Sequence, residues 1–334
     1  MMKPSRSTFL FLFLFLFLVL PLSAGAADPI SELAQFSVFG KIDLIRLAGG
    51  EIKTAAGPPM STDRFLSVQS CFVVPQPPGK VLERMRHFDP TAHRELKVFL
   101  HSDLPSSPSA SNFSKLNNAP DNGAVKKLRS ATEKMSPELQ LSQAEARKYS
   151  AGQPVFAFWS DILAKRAQAF VSGGAAAQAP YDHTPPPLQP GRELAGLVRQ
   201  QGAVNRQFGG FLGATGLIGG KGSLPPELYW ELLQVEDEGV LTLGASYRRS
   251  TAGGGAQLAD GLYYATGGYN VALTLFQLWP VEIGGRASTL VWRGDFVSAN
   301  SLADLHGIER LGSESAMRKD ILKAATILQR EAGR

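Results

Sequence analysis

Cysteine is almost missing from this chain of 334 residues: Cys71 stands alone, so no intramolecular disulfide is available and the fold must rest on its core. Cys71 lies in the strand-like run FLSVQSCFVV, which points to a buried, inert thiol and to no disulfide-linked partner. An excess of one charge is missing as well. The 34 basic and 29 acidic residues are interspersed and leave +5, and removing Lys3 and Arg6 with a leader lowers this by 2 to +3, too weak for nucleic-acid binding. Histidine is scarce, and His87, His93 and His101 with Asp89 show neither HExxH nor a pair at i, i+4, so no metal is expected. GxSxG and SxxK are absent. In GGFLGATGLIGGKGS, Lys221 is followed by Gly222, so the phosphate-loop spacing fails and no cofactor is implied.

Long apolar runs are missing everywhere but at the start. Lys3 and Arg6 precede an apolar stretch from Phe9 to Leu20, and Ala24-Gly25-Ala26 follows with small residues, the pattern of a signal peptide over residues 1–26 with cleavage near Ala26. The stretch is shorter than the roughly 20 residues of a membrane span. The expectation is an exported, soluble chain, periplasmic or extracellular.

Proline and glycine are plentiful but clustered. SDLPSSPSASN, GGAAAQAPYDHTPPPLQPG and RRSTAGGGAQLADG read as surface loops. Between them the chain is strand-rich at its ends and helical in its middle. Phe65 to Val74 reads as a strand, KVLERMRHF after Pro77-Pro78 as a helix, and HRELKVFLH as a second strand. Ser142 and Glu145 have capping-box spacing, and Val155, Phe158, Trp159, Ile162, Leu163, Arg166 and Phe170 share one helical face. Leu194, Leu197, Val198, Gln201, Val204 and Phe208 repeat that pattern. At the back, LYWELLQV, VLTLGASYR and a hairpin about Gly284-Gly285 predict a four-stranded antiparallel meander, and Met317, Ile321, Ala324, Ala325 and Leu328 stripe a final helix from about Glu314 to Glu331.

The order in VPQPPGKVLERMRHFDP, the later strands and the long helix after LVWRGDFVSANSLADLHGIERLGSESAMRKDI resembles the START-like helix-grip (SRPBCC-type) superfamily over roughly residues 62–100 and 226–332. The resemblance implies one α+β domain, residues 62–332, preceded by an N-terminal segment, residues 27–61. Its antiparallel sheet would pack against the last helix, with a mostly helical insertion near residues 113–225. It also implies a hydrophobic cavity between sheet and helix, in members that bind lipids, sterols or polyketides, and some of which are cyclases or hydrolases.

The aromatic run from Tyr263 to Asp295 would then supply the helix-facing side of the sheet. Cavity lining is expected from Trp230, Tyr247, Tyr269, Leu273, Leu275, Leu290, Trp292, Met317 and Ile321, with Phe211, Leu212, Leu217 and Ile218 as a mobile apolar lid. Arg293 and Asp295, opposite Trp292 and Phe296, read as an ion pair on the outer face. The leading functional expectation is non-catalytic binding of a hydrophobic small molecule or lipid, with transient membrane contact. A structural or interaction protein with a filled core is the alternative, and a cavity enzyme, hydrolase or cyclase, is the next.

Overall fold

The computed structural model describes residues 28–305 and 307–333; residues 1–26, on which the signal-peptide expectation falls, and His306 lie outside the described residues. Its strands are β1 (Lys53–Ala56), β2 (Phe65–Val74), β3 (Val98–Leu104), β4 (Glu227–Val235), β5 (Glu238–Ser250), β6 (Ala256–Ala265), β7 (Val271–Ile283) and β8 (Arg286–Ser298). They form one antiparallel eight-stranded sheet in the order β1-β2-β8-β7-β6-β5-β4-β3, so the early strand β2 pairs with the last strand β8. The helices are α1 (Pro29–Phe36), α2 (Leu44–Ala48), α3 (Pro78–Arg86), α4 (Gly123–Glu133), α5 (Gln143–Ala146), α6 (Val155–Gly173), α7 (Pro190–Arg199), α8 (Gly202–Leu212), α9 (Asn300–Ala303) and α10 (Gly307–Gly333). The fold is α+β. Among the described residues no helix is long and apolar enough to cross a membrane.

Local chemistry explains most boundaries. Gly284 and Gly285 hold φ of +58° and +75°, the left-handed pair that a two-residue hairpin requires. Ser142 and Glu145 form the expected capping box, Glu145 N–H donating to Ser142 Oγ at 3.2 Å and Ser142 N–H to Glu145 Oε2 at 2.7 Å. The meander has five strands rather than four. RRSTAGGGAQLADG is not a loop throughout: β5 runs to Ser250 and β6 begins at Ala256, so only the glycine cluster turns. A bulge between Leu243 and Gly244 lets Tyr263 and Tyr264, adjacent on β6, enter the same core.

The sheet is covered on both faces, and all ten residues of β2 are buried. On one face Trp230, Leu243, Leu273, Leu275, Leu290, Trp292 and Phe296 pack under the helical middle and α1. Phe36 of α1 meets Trp292 edge-on, ring centres 4.9 Å apart, and Trp279 Nε1 donates to Glu32 of α1 at 2.8 Å. Arg166 of α6 is buried beside Glu145 at 2.6 Å and lies 4.2 Å from the Tyr264 ring centre, tying α5 and α6 to the sheet. On the other face Phe72, Val74, Leu258, Phe276, Leu278 and Val291 pack against α3 and α10 through Val81, Ala325, Leu328 and Ala332.

This assignment reverses the expected facing. The aromatic side of the hairpin lies under the helical middle, and the more polar side faces the last helix. Both layers are apolar, so alternation sorts the residues into faces without saying which helices cover each. Trp292, fully buried in the larger core, should lose about 3–5 kcal/mol on Trp292→Ala, while exposed Leu322→Ala should stay within about 0.5 kcal/mol, both read from urea unfolding.

Candidate functional site: a groove between the sheet and the last helix

Helix α10 crosses β1 and β2, its C-terminal end and α3 cover Leu258, Phe276 and Leu278, and the opposite ends of β7 and β8 on the same face, at Ala272, Thr274, Asp295 and Val297, stay open. A groove of about 590 Å³ lies in the gap. Its floor includes Ala272, Thr274, Arg293, Asp295 and Val297, one wall is α10 with Ala316, Met317, Asp320 and Ile321, and the far rim carries Glu95, Leu96, Lys97 and Tyr269.

Strand register composes the floor and the sheet surface that continues beyond it. Glu227, Ser246, Asp260, Thr274 and Asp295 are successive cross-strand partners on β4 to β8, giving a polar row. Tyr229, Gly244, Leu262, Ala272 and Val297 form the next row, which is mostly apolar. A ligand across the floor would meet one polar and one apolar stripe.

The polar row is organised by pairing. Arg293 donates through Nε to Asp295 Oδ2 at 2.8 Å and through Nη2 to Oδ1 at 2.7 Å, and Thr274 donates to the same carboxylate at 3.0 Å. Glu227 is met by Arg248 and, at 3.5 Å, by Arg86. His101 Nδ1 lies 3.1 Å from Glu231. Burial pulls the His101 imidazole down, but hydrogen bonding and charge from Glu231, with Asp103 and Asp89, outweigh it and raise the pKa.

Asp260 differs. It accepts from Tyr229 Oη at 2.6 Å, and its carboxyl is pushed up to about 6, first by desolvation and also by the Glu231 charge, against hydrogen bonds from Tyr229 and Ser246. Tyr229 reaches it only because Gly244 lies beneath its ring: a methyl there would sit 2.1 Å from a ring carbon. A carboxyl so displaced, half-buried beside a groove, has the features of a functional group. Among the described residues no group of His, Cys, Asp or Glu side chains is placed to hold a metal. Compared with known proteins, the chain matches no family model, no curated protein and no solved structure.

Of the residues expected to line a cavity, Tyr269, Met317 and Ile321 border this groove. Trp230, Leu273, Leu275, Leu290 and Trp292 lie on the opposite face in the packed core. Tyr247 joins them there; its hydroxyl accepts from Gly216 N–H at 3.1 Å. The lid reading is corrected too. Phe211, Leu212 and Leu217 are fully buried, Leu217 in a space over Gly261 that a methyl would fill, and Ile218 is partly buried against the same core. Arg293 and Asp295 do pair, but in the groove rather than on an outer face. Asp260, Tyr229 and Ala316 were not found by sequence reasoning. The available signal for Asp260 was a lone carboxylate between apolar neighbours in LADGLYY.

The raised Asp260 pKa sets a pH window. With a folded value near 6 against the ordinary 3.8, its contribution to stability is present below 3.8 and is lost as pH rises through 6. Wild type should therefore lose stability relative to Asp260→Asn between pH 5 and pH 7.5 in urea titrations at both values. Parallel stabilities would contradict the assignment.

Proposed function

We propose that this protein binds an amphipathic small molecule, a lipid or a compound of similar polarity, between the sheet and the last helix, without altering it. The unfilled groove carries this reading. One face of the sheet is packed with aromatic side chains, whereas the α10 face keeps about 590 Å³ of open volume, within the size of small-molecule sites. Leu66, Ala272, Val297, Met317 and Ile321 would hold the apolar part, and Thr274 with the Arg293–Asp295 pair would orient the polar part.

The same arrangement, an antiparallel sheet with a long last helix across it and an open groove between, supports the START-like reading; the helical layer on the opposite face is an addition to it. Export to the periplasm or the cell exterior is part of the proposal and rests on the leader pattern of Lys3, Arg6 and the Phe9–Leu20 run. Exposed Leu322 stands on α10 beside exposed Arg318 and Lys319, a composition suited to transient membrane contact during loading.

Native mass spectrometry of the mature protein should reveal a copurified apolar adduct. Ala316→Trp should remove it, because Ala316 is exposed on α10 and lines the groove without entering a core cluster. Its melting temperature should change by less than about 2 °C, as for a surface substitution. An adduct of equal occupancy in the variant, or a wild-type protein that carries none and takes up no lipid from vesicles, would sink the proposal.

A further inference from the structure

We infer that Asp260 anchors a protonated amine, so that the groove selects a cationic amphiphile over an acid or alcohol with the same apolar body. This inference rests on the binding role proposed for the groove and names the chemistry of its polar end.

Charge balance from the groove floor outward over the neighbouring strands decides the matter. Asp295 is saturated by three bonds from Arg293 and one from Thr274. Glu227 is met by Arg248 and Arg86, and Glu231 by His101. Asp260 alone among these carboxylates has no Arg, Lys or His within ion-pair distance among the described residues; its hydrogen bonds come from the hydroxyls of Tyr229 and Ser246. It keeps partial access to solvent, and its cross-strand partner Thr274 lies on the groove floor. A ligand seated over Thr274 therefore has a carboxylate paired with Arg293 on one side and, on the other, one that Arg248 and Arg293 influence only at longer range and that has no ion pair of its own.

An ammonium donor is the group that fits the second. It adds the missing countercharge and a charge-assisted hydrogen bond, and it leaves Tyr229 in place because a carboxylate has acceptor sites to spare. An acid would meet repulsion from Asp260, and an alcohol would gain only a neutral donor bond. The formal charge of the chain is +5, so long-range attraction favours anions, and a preference for amines must come from the site itself.

Titration provides an independent handle. The charged or titratable groups around Asp260 are Glu227, Tyr229 and Glu231 on β4, Arg248 on β5, Arg293 and Asp295 on β8, His101 on β3 and Arg86 on α3. Asp260 is expected to be ionised at pH 7.5 and largely neutral at pH 5.

The test is calorimetric titration of the full mature chain with decylamine, decanoate and decanol, each below its micelle concentration. At pH 7.5 decylamine should bind about tenfold or more tighter than decanol, the range of a hydrogen bond to a charged group, and decanoate should bind weakest. Asp260→Asn should bring decylamine to the decanol level and leave decanol unchanged. Tyr229→Phe, which keeps the ring over Gly244, should retain the amine preference. If Asp260→Asn does not fold, the wild-type comparison decides: the amine advantage must shrink at pH 5. Equal affinity for amine and alcohol, an unchanged advantage at pH 5, or equal losses for both ligands in Asp260→Asn would overturn the anchor and leave the groove reading standing. Failure of all three ligands to bind would remove the groove reading and the anchor together.

Discussion

A sheet that is apolar on both sides must be covered on both, and the rest of this structure follows from that requirement. Strand β2 and the β7–β8 hairpin bury side chains of both parities. Neither layer of helices would suffice alone, because the uncovered face would present Trp292 and Leu273 on one side or Phe72 and Leu278 on the other. The two coverings are built differently. Many short helices and their loops seal the aromatic face, while α3 and the end of α10 cover a smaller apolar area and leave the groove beside it.

The helical middle is fixed to the sheet by more than apolar contact. Arg166 is buried against Glu145 and over Tyr264, and it donates to the Ala179 carbonyl at 3.0 Å. Removing one member would strand a buried charge, which costs far more than the pair contributes. Glu145 also closes the capping box of α5, so one carboxylate ends a helix, neutralises a guanidinium and sets the position of a layer. Glu193 of α7 acts similarly, accepting two bonds from Arg64 and one from Ser298.

Much of the fold was legible. The period of 3.6 in Val155, Phe158, Trp159, Ile162 and Phe170 marked α6, and the glycine pair marked the last hairpin, because both signals are local. Strand β6 was obscured by its glycine: Gly261 leaves the space that Leu217 fills from more than forty residues away, a demand no local pattern contains. The single run from Leu194 to Phe208 hid a break at Gln200 and Gln201, where α7 gives way to α8. The site was legible only in part. Met317 and Ile321 were found through the helical stripe, whereas Asp260 and Tyr229 meet by reaching across an intervening strand, which sequence spacing does not encode.

The division of labour between the two faces also bears on how such a protein can change. Ala316, Thr274 and Asp260 border or adjoin the groove without belonging to either large apolar cluster, while the aromatic side chains that hold the sheet to its helical layer lie on the far side. Substitutions at the groove are separated from the principal core by the thickness of a sheet, so their effects on stability should be nearly additive with it. A lineage could therefore explore new ligands on one face while the other carries the cost of staying folded.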